Sequence, residues 1–186
     1  LLLAEILEVT GRAAEAADLL TGLVDRLESD RDRARALVVQ LRVLTHGLHR
    51  PADAEQVAGD ATRIHDPVWR GFVEAQWATI LVMLGRLDEA EPLAASLPAH
   101  PDARVRLRAL PAVNIVAYSA GRLVEALAQA QAMVGPALTH RDSVPNGVAV
   151  VFSARAIDLL ALGRLAELDD LLALADDPAA RSGANR

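Results

Sequence analysis

The 186-residue sequence contains no cysteine and no lysine. Without cysteine the chain has no disulfide, no thiolate nucleophile and no cysteine-ligated zinc. Without lysine it has no Walker A loop, no kinase-type phosphate lysine and no Schiff base, because each of these uses a lysine amine. All 19 basic residues are therefore arginines. Several large enzyme classes are thereby excluded from this stretch of chain.

Aromatic residues and long apolar runs are also scarce. Aromatic residues make up 3% of the chain, whereas hydrophobic residues make up 52%, and many of these are alanines. Small side chains allow helices to pack closely together. The apolar runs, of which 78–84 is typical, are much shorter than the roughly 20 residues that a membrane-spanning helix needs. Since no signal peptide is visible either, we expect a cytoplasmic location and no membrane association.

The formal net charge is −6, and the arginines are dispersed along the sequence. Because nucleic-acid binding depends on neutralising phosphates, an acidic chain without a basic stripe predicts no direct nucleic-acid contact. The sequence begins with Leu inside an apolar helical pattern and ends in a polar stretch. We interpret it as a fragment of a longer protein, with a helical repeat domain over 1–175 and a polar, frayed tail over 176–186.

A short phrase recurs along the chain: Gly-Arg, two variable positions, Glu, and then a small or apolar residue. It occurs at 11–16, 85–90, 121–126 and 163–168, with a blurred copy at 47–55. The five glycines are 36, 38, 36 and 42 residues apart. A period of this size is typical of stacked helical repeats, in which each unit buries its apolar face only against its neighbours.

The same pattern predicts where helices begin and end. Each phrase glycine suits the left-handed position just after a helix, and no segment alternates with the period of a strand. Pro92 lies about a turn into its helix, which predicts a late start or a kink. The predicted N-cap residues are Asp30, Asp66, Asp102 and either Ser143 or Asn146. The ten predicted helices are 1–9, 12–27, 31–46, 51–64, 67–84, 87–97, 102–120, 123–139, 146–162 and 165–175.

The phrase resembles the tetratricopeptide repeat, in which the first helix ends in a glycine followed by an aromatic or apolar residue and then Glu-Ala. Leu87, Leu123 and Leu165 stand where that family often has Tyr. Ala16, Ala90 and Ala126 stand at its small packing position. The resemblance covers nearly the whole chain, although the repeats are longer than the 34 residues of that family. It implies an all-α, right-handed superhelical solenoid of antiparallel helix pairs with about four and a half repeats.

The elongated, Arg- and Ala-rich repeats also resemble the helical-repeat region of large bacterial LuxR-family transcriptional regulators with a MalT-like layout. In that family a nucleotide-binding module precedes the repeats and a helix-turn-helix follows them. The resemblance implies a non-catalytic sensor or regulatory module. A free-standing scaffold or adaptor of the same fold is the alternative. An enzyme ranks third, because no nucleophile and base can be paired from the sequence.

The repeat pattern also predicts a binding groove. Its inward-facing positions lie two, three, six, ten and thirteen residues before each turn glycine. They correspond to Leu41, Thr45, Phe72, Thr79, Val82, Met83, Arg108, Ile115, Tyr118 and Ser119. This mixture of apolar side chains, hydroxyls and one arginine is suited to a protein or peptide, another domain of the same chain, or a small inducer. Terminal repeats without polar caps also suggest a homodimer through the first helix.

Metal sites and catalytic groups are not expected. His65, His100 and His140 fall at equivalent helix junctions, but such junctions lie ~8–10 Å apart, too far for a zinc ion held at ~2 Å. His46 and His49 straddle Gly47 and share no helix face. The carboxylate pairs Asp169-Asp170 and Asp176-Asp177 fit a solvated surface. Trp77 is predicted in the core, and Phe72 either in the core or in the groove. We therefore expect no metal, no cofactor and no catalytic residue.

Overall fold

A computed structural model describes residues 1–176. Within this range the chain forms helices and turns and no β-strand, so the predicted all-α class is confirmed for this part. The α-helices are α1 (Leu2–Val9), α2 (Ala13–Leu20), α3 (Leu23–Arg26), α4 (Asp30–Arg42), α5 (Pro51–Gly59), α6 (Pro67–Met83), α7 (Leu87–Ser96), α8 (Ala103–Ser119), α9 (Leu123–Ala132), α10 (Val134–Thr139), α11 (Gly147–Ala161) and α12 (Leu165–Asp176). None of these helices is long and apolar enough to cross a membrane.

Shorter helical turns extend three of these helices. A π-helical turn (Val43–Gly47) continues α4, and 3₁₀ turns follow α5 (Asp60–Arg63) and α7 (Leu97–Ala99). The predicted tail at 176–186 begins at the last residue of α12, and its remainder lies outside the described residues.

Two predicted helices are each divided in the structure. The predicted helix at 12–27 is broken between α2 and α3, where Gly22 adopts a left-handed φ of 67°. The predicted helix at 123–139 is broken between α9 and α10, because Pro136 has no N–H to donate to the carbonyl of Ala132. In both cases a short second helix follows the break.

The expected late start of the helix that contains Pro92 is wrong. Helix α7 begins at Leu87 and continues through Pro92 to Ser96. A proline at this position frees only the carbonyl of Asp88. Both Pro92 and Asp88 are exposed, so water can solvate that carbonyl and the helix tolerates the missing bond.

The recurring phrase builds the same turn four times. Gly11, Gly85, Gly121 and Gly163 all adopt φ values from 69° to 77°, as predicted. The arginine after each glycine pairs with the glutamate three residues later: Arg12 with Glu15, Arg86 with Glu89, Arg122 with Glu125, and Arg164 with Glu167. Each glutamate also lies in the first turn of a helix, where the helix dipole favours a negative charge. The phrase therefore encodes a left-handed turn and the start of the next helix.

The blurred copy of the phrase is displaced by two residues from the predicted position. His49, with a φ of 54°, is the left-handed residue of this turn, and Gly47 belongs to the π-helical turn before it. Arg50 pairs with Asp53 in the same way as the other phrase arginines. Ala54 is completely buried, as are Ala16, Ala90 and Ala126. The phrase in this repeat is therefore His49–Ala54.

Gly47 has a packing role instead of a turn role. A Cβ atom built on Gly47 would collide with the Cβ of Ala13 on α2. Glycine at this position therefore allows the C-terminal end of α4 and its π-helical turn to lie directly against α2. The sequence shows the same residue type as in the other copies, but the physical reason for it differs.

The helices pack in two groups. Helices α1, α4, α6, α8 and α11, here called the A helices, contact one another in that order. Helices α2, α5, α7 and α9, here called the B helices, each contact the A helix before them and the A helix after them, and α12 contacts α11. Alanines that are completely buried fill the α6–α8 contact and allow the close approach.

The predicted N-caps at Asp66 and Asp102 are confirmed. The Asp66 carboxylate accepts the N–H of Val68 at 2.8 Å, and the Asp102 carboxylate accepts the N–H of Arg104 at 2.8 Å. Asn146 occupies the N-cap position of α11 without a side-chain hydrogen bond to the helix. These caps fix where α6 and α8 begin.

Asp30 is not the N-cap of α4, because Ser29 accepts the N–H of Asp32 in that role. The Asp30 carboxylate instead accepts the backbone N–H groups of His65 and Asp66, at 2.8 and 2.7 Å. The bond from the Asp66 N–H is the largest cause of a lowered pKa at Asp30. Asp30 thus joins the start of α4 to the start of α6.

Candidate functional site: an arginine-lined cavity

Helices α1, α4, α6 and α8 and the loop after α10 surround a cavity of about 580 Å³. This volume lies within the ~300–1,000 Å³ typical of small-molecule sites. Five arginines line it: Arg31, Arg35 and Arg42 on α4, and Arg104 and Arg108 on α8. We call it the arginine cavity. A chain with a net charge of −6 therefore brings five cationic side chains together at one place.

Helical spacing explains how these side chains converge. The arginines of α4 are four and seven residues apart, and those of α8 are four apart, so each set lies on one helix face. Helix α6 contacts both α4 and α8. It contributes Trp69 and Phe72, which are three residues apart, to the lining between the two sets of arginines.

The aromatic pair contacts the arginines directly. The ring centroids of Trp69 and Phe72 are 5.2 Å apart. The guanidinium carbons of Arg31 and Arg104 lie 5.8 and 5.7 Å from the Trp69 ring centroid, and that of Arg108 lies 5.1 Å from the Phe72 ring centroid. Cation–π attraction at these distances orients the guanidinium groups.

Three of the five arginines are paired with carboxylates. The ion pairs are Arg35 with Glu5 at 2.8 Å, Arg42 with Glu8 at 2.6 Å, and Arg104 with Asp102 at 2.6 Å. The hydrogen bonds from Arg104 lower the pKa of Asp102 to about 2. These three pairs neutralise a large part of the positive charge around the cavity.

Arg108 differs from those three because no carboxylate lies within ion-pair distance among residues 1–174, whose side chains the structure describes. Its polar contact is with the Oε1 atom of Gln76 at 3.4 Å. Its Nε atom is buried and has no hydrogen-bond partner in the described part of the chain. Burial, followed by the charge of Arg42, lowers the pKa of Arg108 to about 10. Arg108 thus remains charged at neutral pH, in surroundings that disfavour the charge.

The predicted groove residues fall into three groups. Phe72 and Arg108, each thirteen residues before a turn glycine, line the arginine cavity. Leu41, Thr45 and Val82 are buried in the core, and the Thr45 hydroxyl donates to the carbonyl of Leu41. The remaining residues, Thr79, Met83, Ile115, Tyr118 and Ser119, lie outside the cavity lining.

These five remaining residues lie in the C-terminal parts of α6 and α8, and we call them the distal strip. Thr79 and Met83 follow Phe72 by seven and eleven residues, so helical periodicity puts them on the same face of α6. Ile115 and Ser119 follow Arg108 by the same intervals on α8. Thr79 is half-buried and donates its hydroxyl to the carbonyl of Ala75. The distal strip therefore continues the face of the cavity toward the C-terminal ends of these helices.

The histidines and carboxylate pairs considered in the sequence analysis do not form a further site in the described part of the chain. The Nδ1 atom of His100 accepts the N–H of Asp102 at 3.1 Å, and its Nε2 atom lies 3.4 Å from the carbonyl oxygen of Pro67. No group of three or more His, Asp or Glu side chains in residues 1–174 is placed to hold a metal ion. Asp177 lies outside the described residues, so the Asp176-Asp177 pair is not characterised by the structure.

Comparison with known proteins gives no assignment. No family model matches the chain, and no curated protein or solved structure matches it. The functional argument therefore depends on the geometry of the described residues, and above all on the arginine cavity.

Proposed function

We propose that this chain is a non-catalytic interaction module that holds a ligand in the arginine cavity. In this proposal the helix pairs form a right-handed superhelical solenoid of the tetratricopeptide type, with about four and a half repeats. The recurrent glycine turns and the ordered contacts between successive A helices support that arrangement.

The observation that carries the proposal is the presence of Arg108 in the cavity wall without a carboxylate partner in residues 1–174. Arg108 is half-buried, and a cation that is partly withdrawn from water without a counter-ion reduces the stability of the folded state. Perturbed ionisable groups in a cavity of suitable size are characteristic of functional sites. A ligand that interacts with Arg108 would compensate for that loss.

The parent protein in our proposal is a bacterial LuxR-family regulator, in which this module is the sensor region. Ligand binding would then shift an equilibrium between two arrangements of the regulator, which requires a different affinity for each. The coding sequence on both sides of this chain tests the assignment. A Walker A loop upstream and a helix-turn-helix downstream support it, whereas a start codon and a stop codon directly at the two ends contradict it.

A free-standing scaffold or adaptor is the second candidate, and the distal strip favours it. Met83, Ile115 and Tyr118 expose 62%, 40% and 43% of their surface. Apolar side chains grouped on one exposed face are typical of protein-binding surfaces. A partner protein or peptide would contact the distal strip, and the arginine cavity would then lie at the edge of that interface.

Two variants distinguish binding in the arginine cavity from binding on the distal strip. Ser143→Trp places a large side chain on the loop that lines the cavity, and Ile115→Arg places a charge on the distal strip. A bound ligand raises the melting temperature of the folded chain. In a screen of small anions, sugars, amino acids and peptides, we expect stabilisation that Ser143→Trp removes and Ile115→Arg retains. The reverse pattern supports the scaffold, and no stabilisation by any compound contradicts the ligand-binding proposal.

A further inference from the structure

We propose that the ligand of the arginine cavity is a small organic anion whose carboxylate or phosphate oxygens bind between Arg42 and Arg108. Its apolar body would lie against Val38 and Phe72. This inference rests on the proposed function and gives it a ligand class. The shared chemistry is an oxyanion attached to a compact apolar group.

The position of the oxyanion follows from two unsatisfied donors. Arg42 on α4 and Arg108 on α8 both line the cavity, and each has a buried Nε atom without a hydrogen-bond partner in the described residues. Glu8 binds a terminal nitrogen of Arg42 but leaves its Nε free. An oxyanion that accepts from both guanidinium groups would satisfy both donors and place a negative charge between two positive ones.

The number of charges on the ligand follows from the ion pairs already present. Glu5, Glu8 and Asp102 balance Arg35, Arg42 and Arg104. Asp142, the other carboxylate of the lining, pairs with Arg141 outside the lining at 4.0 Å. Arg31 and Arg108 have no carboxylate within ion-pair distance among the described side chains of residues 1–174. One or two negative charges are therefore sufficient to balance the site. A polyanion such as a nucleic acid would bring excess negative charge to a chain that already carries a net charge of −6.

The organic part of the ligand follows from the size and walls of the cavity. An inorganic ion would fill only a small part of about 580 Å³. Ala34, Val38 and Phe72 also line this space and supply apolar surface next to the arginines. Such a combination of apolar walls with a few charged groups is typical of sites for small organic molecules.

Calorimetric titration of the full chain tests the ligand class. Phenyl phosphate and benzoate provide the two kinds of oxyanion on the same ring, benzyl alcohol provides the ring without charge, and inorganic phosphate provides the charge without the ring. We expect at least one of the two aryl anions to bind about tenfold or more tightly than both controls. Its affinity should also fall as the salt concentration rises.

Paired arginine variants test the position of the oxyanion. Arg108→Gln and Arg122→Gln remove the same charge, but Arg122 lies at the turn before α9 and outside the cavity lining. We expect Arg108→Gln to weaken binding of the aryl anion about tenfold or more, and Arg122→Gln to leave it unchanged. Arg108→Gln should fold normally, because it removes a cation that burial disfavours.

Three outcomes would overturn the inference: no binding of either aryl anion, equal weakening by the two variants, or binding of hexaglutamate in place of the aryl anions. The last outcome would assign the cavity to an acidic peptide. If another compound stabilises the chain in a way that Ser143→Trp removes, the proposed binding function stands and only the anion assignment fails.

Discussion

The side-chain amide of Asn114 on α8 donates a 2.6 Å hydrogen bond to the Oδ2 atom of Asp158 on α11. Asp158 is completely buried, Asn114 is nearly so, and the Oδ1 atom of Asp158 has no hydrogen-bond partner in the described residues. Burial raises the pKa of Asp158, and the bond from Asn114 opposes this effect only in part. The charged carboxylate is therefore disfavoured in the folded chain.

The first prediction concerns the pH dependence of this pair. Because the folded-state pKa of Asp158 is raised, the contribution of Asp158 to the stability of the wild-type chain should fall as the pH rises from the ordinary Asp value through the raised value. Asp158→Asn cannot ionise and keeps an acceptor for Asn114. Its stability relative to wild type should therefore increase between about pH 4 and pH 7, as measured by urea unfolding. Asp18→Asn, at an exposed aspartate, is the control. If the difference in unfolding free energy between Asp158→Asn and wild type did not change with pH, the prediction would be contradicted.

A second prediction tests the corrected repeat register around His49. Ala54 occupies the same completely buried position as Ala90, whereas Ala52, two residues earlier, is exposed. Ala54→Leu should overpack the helix contact and lower the free energy of unfolding by about 1–3 kcal/mol. Ala52→Leu should change it by less than about 0.5 kcal/mol. Similar unfolding free energies for the two variants would show that the register is incorrect.

The third prediction tests whether a glycine is needed at Gly85 because of its backbone conformation and not because a side chain would lack room. A Cβ atom on Gly85 or on Gly59 would meet no atom within 4 Å, but Gly85 has a φ of 73° and Gly59 a φ of −60°. Gly85→Ala should therefore cost about 1 kcal/mol. Gly59→Ala, at the end of α5, should stabilise the chain by about 0.5 kcal/mol. Thermal unfolding measures both effects. A melting temperature that changes in the same direction in both variants would contradict the prediction.

A fourth prediction compares an aromatic residue of the cavity with one of the distal strip. Phe72 is 8% exposed and packs against the α6–α8 core, whereas Tyr118 is 43% exposed. Phe72→Ala should lower the free energy of unfolding by about 3 kcal/mol. Tyr118→Ala should lower it by less than about 1 kcal/mol. Equal losses in denaturant titrations would mean that Tyr118 belongs to the core and that the distal strip is not a free surface.

Local features of the fold were predictable because their causes lie within a few residues of each other. The left-handed glycines, the caps at Asp66 and Asp102 and the A-helix boundaries depend on backbone geometry near each turn. The division of 12–27 at Gly22 and the turn at His49 were missed. In the latter case the π-helical turn shifts the chain, and sequence periodicity assumes a regular helix.

The arginine cavity was only partly predictable, because its residues come from helices far apart in sequence. Arg31 and Arg35, and likewise Arg104 and Arg108, show the four-residue spacing of a shared helix face. That spacing does not reveal that the faces of α4 and α8 meet around α6. The arginines are dispersed along the sequence, but in the structure five of them line one cavity. Phe72 and Arg108 were among the predicted groove residues because the repeat pattern specifies inward positions on each A helix.

The hydrogen bonds from His65 and Asp66 to the carboxylate of Asp30 connect two helix starts that are more than thirty residues apart in sequence. If the first turn of one of these helices opens, the carboxylate of Asp30 and the N–H groups of His65 and Asp66 lose each other as hydrogen-bond partners. The first turns of α4 and α6 should therefore open together in amide hydrogen exchange, so that deuterium enters both segments at the same rate. Repeats that such a carboxylate joins would then unfold as one cooperative unit, and the unit would end where a repeat lacks this connection.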